Sequence, residues 1–307
     1  MIFTVTLSPA LDKSMIIESF APGKVNRVLS ARTDPGGKGI NVSKVLRVWG
    51  CESVAMGVLG GRTGEEIEAR LSQMGIEADF VKSASETRTN IKISDPVTGL
   101  TTDINAPSTL SKEEADAVLH KLLSRVKKGD CVVIAGKMST EAADAGLWVK
   151  KLSEKGAYVF LDTEGKALVS GAAAGPFLIK PNETELSMLC GKEFETDSEL
   201  ISAARRLTDS CAVVAVSMGE KGAYFFTKEE SLFISALKVD CVCTVGAGDT
   251  MTACLAYGKE TGMNFMESCM LSVAASAAAV TCPGTSSPTK EQIYALLPNI
   301  KTGRIDS

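Results

Sequence analysis

The sequence predicts an α/β protein whose central sheet is mostly parallel and covered by helices on both faces. Three observations lead there. Short apolar runs of strand length alternate with longer segments of helical period. The runs are continuously apolar, as in Cys131-Val132-Val133-Ile134-Ala135, which suits strands buried on both sides. Two segments break the rhythm and call for a small separate sheet.

The elements follow in chain order. Met1–Leu7 reads as a strand. Val42, Val45, Leu46 and Trp49 fall on one helix face, and Ile67, Leu71 and Met74 repeat at similar spacing. Ser111-Lys112-Glu113-Glu114 is a capping box opening a helix through Val118, Leu119, Leu122 and Val126, which Lys127-Lys128-Gly129 ends. After the strand Cys131–Ala135, a helix is expected from about Thr140 to Glu154, then a strand over Ala157–Leu161. Phe177–Lys180 reads as a strand, Glu183–Cys190 as a helix, Ala203–Leu207 as part of another helix, and Ala212–Ser217 as a strand. A hairpin is expected over Tyr224–Phe226 and Leu232–Ile234, and a helix over Thr250–Tyr257. The exceptions are Ser14–Thr33 and Thr87–Asn105. Their β-rich runs lack a covering helix and suit either a small antiparallel sheet standing off the main domain or a pair of edge hairpins. A standing sheet would lid a site, dimerise, or both, because an apolar sheet face needs cover.

Composition bounds the function. The chain has 307 residues, 45% apolar, with 23% charged residues and a net charge of −4, which fits an ordinary globular protein and no nucleic-acid binder. No apolar run approaches the length of a membrane span, the N-terminus lacks a basic leader, and a cytoplasmic location is expected. Nine scattered cysteines suit reduced thiols, and one histidine, His120, on an expected surface helix, argues against a zinc site.

Four segments carry chemistry. Val245-Gly246-Ala247-Gly248-Asp249 runs small residues into an acid at a helix start. Free N–H groups there attract an anion, and Asp249 would stand beside it as a base; a plain turn capped by Asp249 is the simpler alternative. Asp34-Pro35-Gly36-Gly37-Lys38-Gly39-Ile40-Asn41 is a glycine-rich turn entering a helix, with Lys38 and Asn41 able to contact a phosphate or sugar hydroxyl; it matches neither a P-loop nor a dinucleotide fingerprint. In Lys180-Pro181-Asn182-Glu183-Thr184-Glu185, Asn182 suits a helix cap, and Glu185 suits either a water-mediated magnesium contact or plain solvation. Ser217-Met218-Gly219-Glu220-Lys221-Gly222 is a tight turn at a strand end, where ligands are often met.

In this order the four motifs resemble the ribokinase-like (PfkB) carbohydrate kinases over nearly the whole chain. Ser8-Pro9-Ala10-Leu11-Asp12-Lys13, Thr87-Arg88-Thr89-Asn90-Ile91-Lys92 and Thr102-Asp103-Ile104-Asn105 are similar to the 1-phosphofructokinase branch, with tagatose-6-phosphate kinases as near relatives. The resemblance implies a three-layer α/β/α fold whose core covers 1–11, 34–86 and 106–307, with a β lid over 12–33 and 87–105 that can serve as a homodimer interface. It implies ATP and Mg²⁺, a sugar-phosphate substrate, and no nucleic-acid or membrane partner. Asp249 would be the base, with Gly246, Ala247 and Gly248 forming the anion hole. Asp12, Gly37, Lys38, Asn41 and Asn90 would hold the sugar, and Arg88, with Lys38 and Arg27 in support, the phosphate it carries. Ser217, Met218, Gly219, Glu220, Lys221 and Gly222 would line the nucleotide, with Lys180, Asn182, Gly248 and Asp249 also at ATP and Glu185 at magnesium through water.

Three positions depart from the family pattern. Ala135-Gly136-Lys137-Met138-Ser139 replaces the usual Ser-Gly-Ser-Leu-Pro, so Lys137 would pair with a substrate or nucleotide phosphate or else turn outward. Cys243 stands where Asn or Asp is usual, and Ser8 replaces an Asn. Asp249, at a helix start, is expected to have a low pKa. A non-catalytic sugar-phosphate sensor is the alternative of a different class.

Overall fold

The computed structural model describes residues 1–305. Strand β1 (Ile2–Thr6) leads into β2 (Ala10–Ile16) and β3 (Ser30–Gly36), then helix α1 (Lys38–Val48), β4 (Ser53–Gly60) and α2 (Gly61–Gln73). Short strands β5 (Glu77–Ala78) and β6 (Val81–Ser83) precede β7 (Arg88–Asp95) and β8 (Leu100–Ile104). Next come α3 (Lys112–Arg125), β9 (Cys131–Ala135), α4 (Ala145–Glu154), β10 (Tyr158–Asp162) and α5 (Gly165–Ala173). Strand β11 (Leu178–Ile179), α6 (Glu183–Cys190), α7 (Asp197–Arg206) and β12 (Val213–Ser217) follow, then the hairpin β13 (Gly222–Phe226) and β14 (Ser231–Ser235). The chain closes with α8 (Ala247–Thr261), α9 (Phe265–Val280), α10 (Lys290–Leu296) and β15 (Thr302–Arg304).

The large sheet runs β15-β14-β13-β12-β11-β10-β9-β1-β4-β5, with β6 also on β4. The pairs from β5 through β12 are parallel, and β13, β14 and β15 add an antiparallel edge. Apolar side chains fill both faces. Val5, Val132, Val159 and Val214 pack with α3, α4, α5 and α7 on one side. Ile2, Val133, Phe160 and Ala215 pack with α1, α8, α9 and α10 on the other. Three layers result, as the unalternating strands require. After β1 the chain first adds β4 on one side and later β9 on the other. Strand order therefore reverses at β1, and the carboxyl end of that point is where open α/β sheets bind ligands.

The second sheet has the order β3-β2-β7-β8. It is mixed, which corrects the antiparallel expectation: β2 and β7 pair in parallel, Asp12 opposite Asn90. The reason is topological. Strand β2 leaves the core from the carboxyl end of β1. Strand β7 leaves from that of β4, where the Thr87 amide donates to the Gly60 carbonyl at 2.9 Å. Both run outward from one edge, so they lie side by side in one direction. Two helix boundaries also differ. Helix α4 starts at Ala145, not Thr140, because Asp144 caps it by accepting the Gly146 amide at 2.9 Å. Helix α8 starts at Ala247, three residues before the expected Thr250.

Candidate active site

The loops at the switch point bring the motifs together. Helix α8 begins at Gly246, whose φ of 87° lies in the left-handed region that glycine tolerates. Asp249 sits inside the first turn and makes no cap bond, so the simple capping alternative does not hold. Its carboxylate Oδ2 accepts from Asn41 Nδ2 at 2.8 Å, linking α8 to α1. Among the described residues the Gly248 and Asp249 amides have no protein acceptor, and Ala247 makes only a 3.4 Å bond to the Thr244 carbonyl. A helix start with open N–H groups beside a carboxylate is an anion site with a proton acceptor attached.

Asp249 is 6% exposed. Burial pushes its carboxyl up to about 6, the neighbouring Asp162 carboxylate adds to the rise, and the Asn41 bond, Lys38 and Lys180 oppose it. The low pKa expected from the helix start is thereby corrected. Desolvation of a buried carboxylate outweighs the partial positive charge of the helix terminus.

Asp162, at the carboxyl end of β10, was not singled out by the motifs, yet it organises the site. It is 1% exposed. Its Oδ1 accepts from Lys38 Nζ at 3.0 Å, and its Oδ2 from Thr252 Oγ1 at 2.9 Å, with Lys180 Nζ 3.4 Å away. Burial alone would raise the Asp162 pKa, but Lys180 and Lys38 hold it below its usual range. Burial would likewise lower the Lys38 pKa, and the Asp162 and Asp249 carboxylates raise it instead. Lys180 lies under the amide turn: a Cβ on Gly248 would stand 3.2 Å from its Nζ, so the turn and the cation are in close contact. Two lysines and two carboxylates thus gather at the turn, all buried except Lys38, which is partly exposed. The positional signal for Asp162 was its place at the ligand edge of an inner strand.

The face of the small sheet that turns to the core carries Asp12, Ser14, Asp34, Asn90, Lys92 and Asp103. With Val245, Gly284 and Thr285 they line a cleft of about 210 Å³ that reaches Val245, the residue before the amide turn. Asn90 Nδ2 donates to Asp12 Oδ1 at 2.9 Å, and its own Oδ1 is buried without a partner, an open acceptor for a ligand hydroxyl. Burial raises the Asp12 pKa against the Asn90 bond. Lys92 Nζ stands 3.5 Å from Asp103. Gly37 precedes α1 and gives it no side-chain cap.

Other expected residues lie elsewhere. The Arg88 guanidinium donates to the carbonyls of Ser8 at 3.0 Å, Pro9 at 3.4 Å and Ala106 at 2.9 Å, and so clasps the two crossings between the sheets rather than lining the Asp12 cleft. Arg27 lies in the β2–β3 connection and lines a different groove. Lys137 is exposed, with no salt bridge among the described residues. Asn182 pairs with Ser217 across adjacent strand ends, which joins the third and fourth motifs. Met218 is buried, Gly219 and Gly222 have left-handed φ values of 55° and 125°, Glu220 is exposed, and Lys221 stands 3.4 Å from Glu183. Asn182 accepts the Glu185 amide at 2.8 Å while Glu185 Oε2 accepts the Asn182 amide at 2.9 Å, a reciprocal cap.

That cap uses one Glu185 oxygen, and the other has no hydrogen-bond partner among the described residues. Among the described residues no three His, Cys, Asp or Glu side chains could enclose a metal. This donor set fits a magnesium ion carried by phosphate and water and touched by an outer carboxylate.

Comparison with known proteins identifies the family and the fold. The model of the pfkB family carbohydrate kinases matches residues 7–292. A 1-phosphofructokinase of Bacillus subtilis is 35% identical, covering 99% of this chain and 100% of the relative. An ATP-dependent 6-phosphofructokinase isozyme 2 of Mycobacterium tuberculosis is 31% identical, covering 95% and 87%. The crystal structure of Escherichia coli phosphofructokinase-2 with substrates and products superposes with a TM-score of 0.91 at 26% identity, covering 97% and 98% of the two chains. With its family model matched from the first strand's end to the last helix, the chain belongs to the pfkB carbohydrate kinases, phosphotransferases that act on a hydroxyl.

Proposed function

We propose that the protein phosphorylates fructose 1-phosphate at its 6-hydroxyl with ATP, giving fructose 1,6-bisphosphate. The reading rests above all on one observation: a buried carboxylate, Asp249, beside the open amides of its own helix start, four residues after Val245, which lines the cleft under the small sheet. The sugar choice is supported by the 1-phosphofructokinase-like segments, whose Asn90, Lys92, Asp103 and Asn105 line that cleft.

In this reading the 6-hydroxyl lies between Asp249 and the γ-phosphoryl. The bond from its oxygen to the γ-phosphorus forms as the γ-phosphorus to bridging-oxygen bond breaks, and the hydroxyl proton passes to Asp249. The amides of Ala247, Gly248 and Asp249 hold the transferring group, and Lys38 and Lys180 neutralise its charge. Asp12 and Asn90 receive sugar hydroxyls. The phosphate already on the substrate is met by Lys92, which lines the cleft, while Arg88 holds the strand crossings beside it. Ser217 to Gly222 line the nucleotide, and Glu185 would touch magnesium through water, the ion supplying charge neutralisation at the phosphates. The small sheet acts as the lid. Exposed apolar side chains on its outer face, Leu100 and Ile104, support a homodimer formed through it.

A coupled ADP-release assay with fructose 1-phosphate, fructose 6-phosphate and tagatose 6-phosphate in parallel tests this. The highest kcat/KM is expected for fructose 1-phosphate. A higher value for either 6-phosphate would overturn the sugar assignment, and binding without ADP release from any would favour a sensor.

A further inference from the structure

Lys44 is a buried charged group at the site that the proposed mechanism leaves unused. It lies on α1 one turn after Asn41 and is 8% exposed. A lysine that deep normally meets a carboxylate. Among the described residues none lies within 4.0 Å of its ammonium; its Nζ instead donates to Asn41 Oδ1 at 3.2 Å. The other end of the same carboxamide donates to the Asp249 carboxylate at 2.8 Å. We propose that Lys44 is a positioning residue: its ammonium fixes the sense of the Asn41 carboxamide, and the carboxamide in turn holds Asp249 in place.

The chemistry of the three groups carries this. An ammonium only donates, and an ionised carboxylate only accepts. A carboxamide between them has one comfortable orientation, oxygen toward Lys44 and nitrogen toward Asp249. Without the cation the amide can turn over and set its oxygen against the carboxylate, which disfavours the ionised form that takes the proton. The spacing is that of one helix face, since residues three apart on a helix are neighbours. Helix α1 also starts directly from the glycine turn of Gly36 and Gly37, so the same short element carries Lys38, Asn41 and Lys44 into the site.

The surroundings leave the Lys44 charge adjustable. Burial lowers its pKa to about 8; Asp34 on β3, Asp12 on β2 and Asp249 on α8 hold the proton on, and Arg32 on β3 works against them. Strands β1 and β4, also packed on α1, have no ionisable side chains, and β9 has only Cys131, whose thiol burial keeps protonated. The ammonium is therefore charged at neutral pH and loses its proton in a range that kinetics can reach.

The inference rests on Asp249 being the base, and pH profiles of kcat separate the two ideas. Wild type should lose activity below an acid limb near pH 6, set by Asp249, and again above an alkaline limb near pH 8, set by Lys44. Lys44→Met should lower kcat about tenfold, move the acid limb to higher pH and leave KM for ATP unchanged. Lys44→Arg keeps a donor that does not titrate, so it should restore most of kcat and abolish the alkaline limb. If Lys44→Met folds poorly, Lys44→Arg alone still decides, because a purely structural lysine would leave the alkaline limb where it is. The double variant Asn41→Ser/Lys44→Met should be no slower than Asn41→Ser. An acid limb present in wild type but unmoved in Lys44→Met, or an alkaline limb that survives Lys44→Arg, would overturn the role of Lys44 alone. A wild-type profile with no acid limb would remove Asp249 as base, and the proposal would fall with it.

Discussion

At the scale of single residues, the site depends on two buried carboxylates with opposite fates. Asp162 has two lysines and a threonine hydroxyl and stays ionised. Asp249 has the Asn41 amide as its main partner and is pushed up to about 6 by burial and by Asp162. The sign follows directly. Asp249 must be ionised to accept a proton, so kcat should fall as the pH drops through about 6. Asp162→Asn removes the like charge and leaves Lys38 and Lys180 nearer in effect to Asp249; the acid limb should then move down by about one pH unit. An unmoved limb would mean that burial alone sets it. Sequence spacing made Asp249 and Asn41 legible as site residues because each sits in a short motif. Asp162 reads as the start of a turn, Asp162-Thr163-Glu164-Gly165, and Lys44 as one more helix lysine. Only tertiary packing buries them.

At the scale of elements, local chemistry was readable and long-range pairing was not. The capping box of α3 appears where Ser111…Glu114 places it and Asn182 caps α6 as expected, since a cap is decided within four residues; the return bond from Glu185 to Asn182 was not expected. Helix α4 was placed too early because Glu141-Ala142-Ala143 has helical composition, and Asp144, the residue that starts the helix, looks like one more polar position. Helix α8 was placed too late because Gly246, Ala247 and Gly248 read as a turn, although the last two already have helical geometry. The two-residue strand β11 was recognised from Phe177–Lys180, whereas β15 is three exposed residues with no pattern of its own. The direction of β2 against β7 depends on where both strands leave the core, which no local window contains.

At the scale of the whole molecule, strand order and the small sheet together frame the candidate site. The order reversal at β1 opens the crevice, α1 and α8 bring Asn41 and Asp249 into it, and the small sheet stands over it. Among the described residues, seven of the sixteen exposed large apolar side chains belong to that sheet and its connections: Ile16, Val25, Val28, Leu29, Val97, Leu100 and Ile104. Leu100 and Ile104 alternate with the cleft-facing Asp103 and so stand on the far face. Leu100→Asp combined with Ile104→Asp should convert a dimer to monomers in sedimentation equilibrium and raise KM for the sugar phosphate more than for ATP. An unchanged mass would place any self-association elsewhere.

The account stands or falls on Asp249. The most direct measurement is steady-state turnover of Asp249→Asn alongside calorimetric binding of fructose 1-phosphate. A loss in kcat of at least about 10²-fold, with binding kept within a few-fold of wild type, is the expected result. Turnover within about threefold of wild type would contradict the assignment of the proton acceptor.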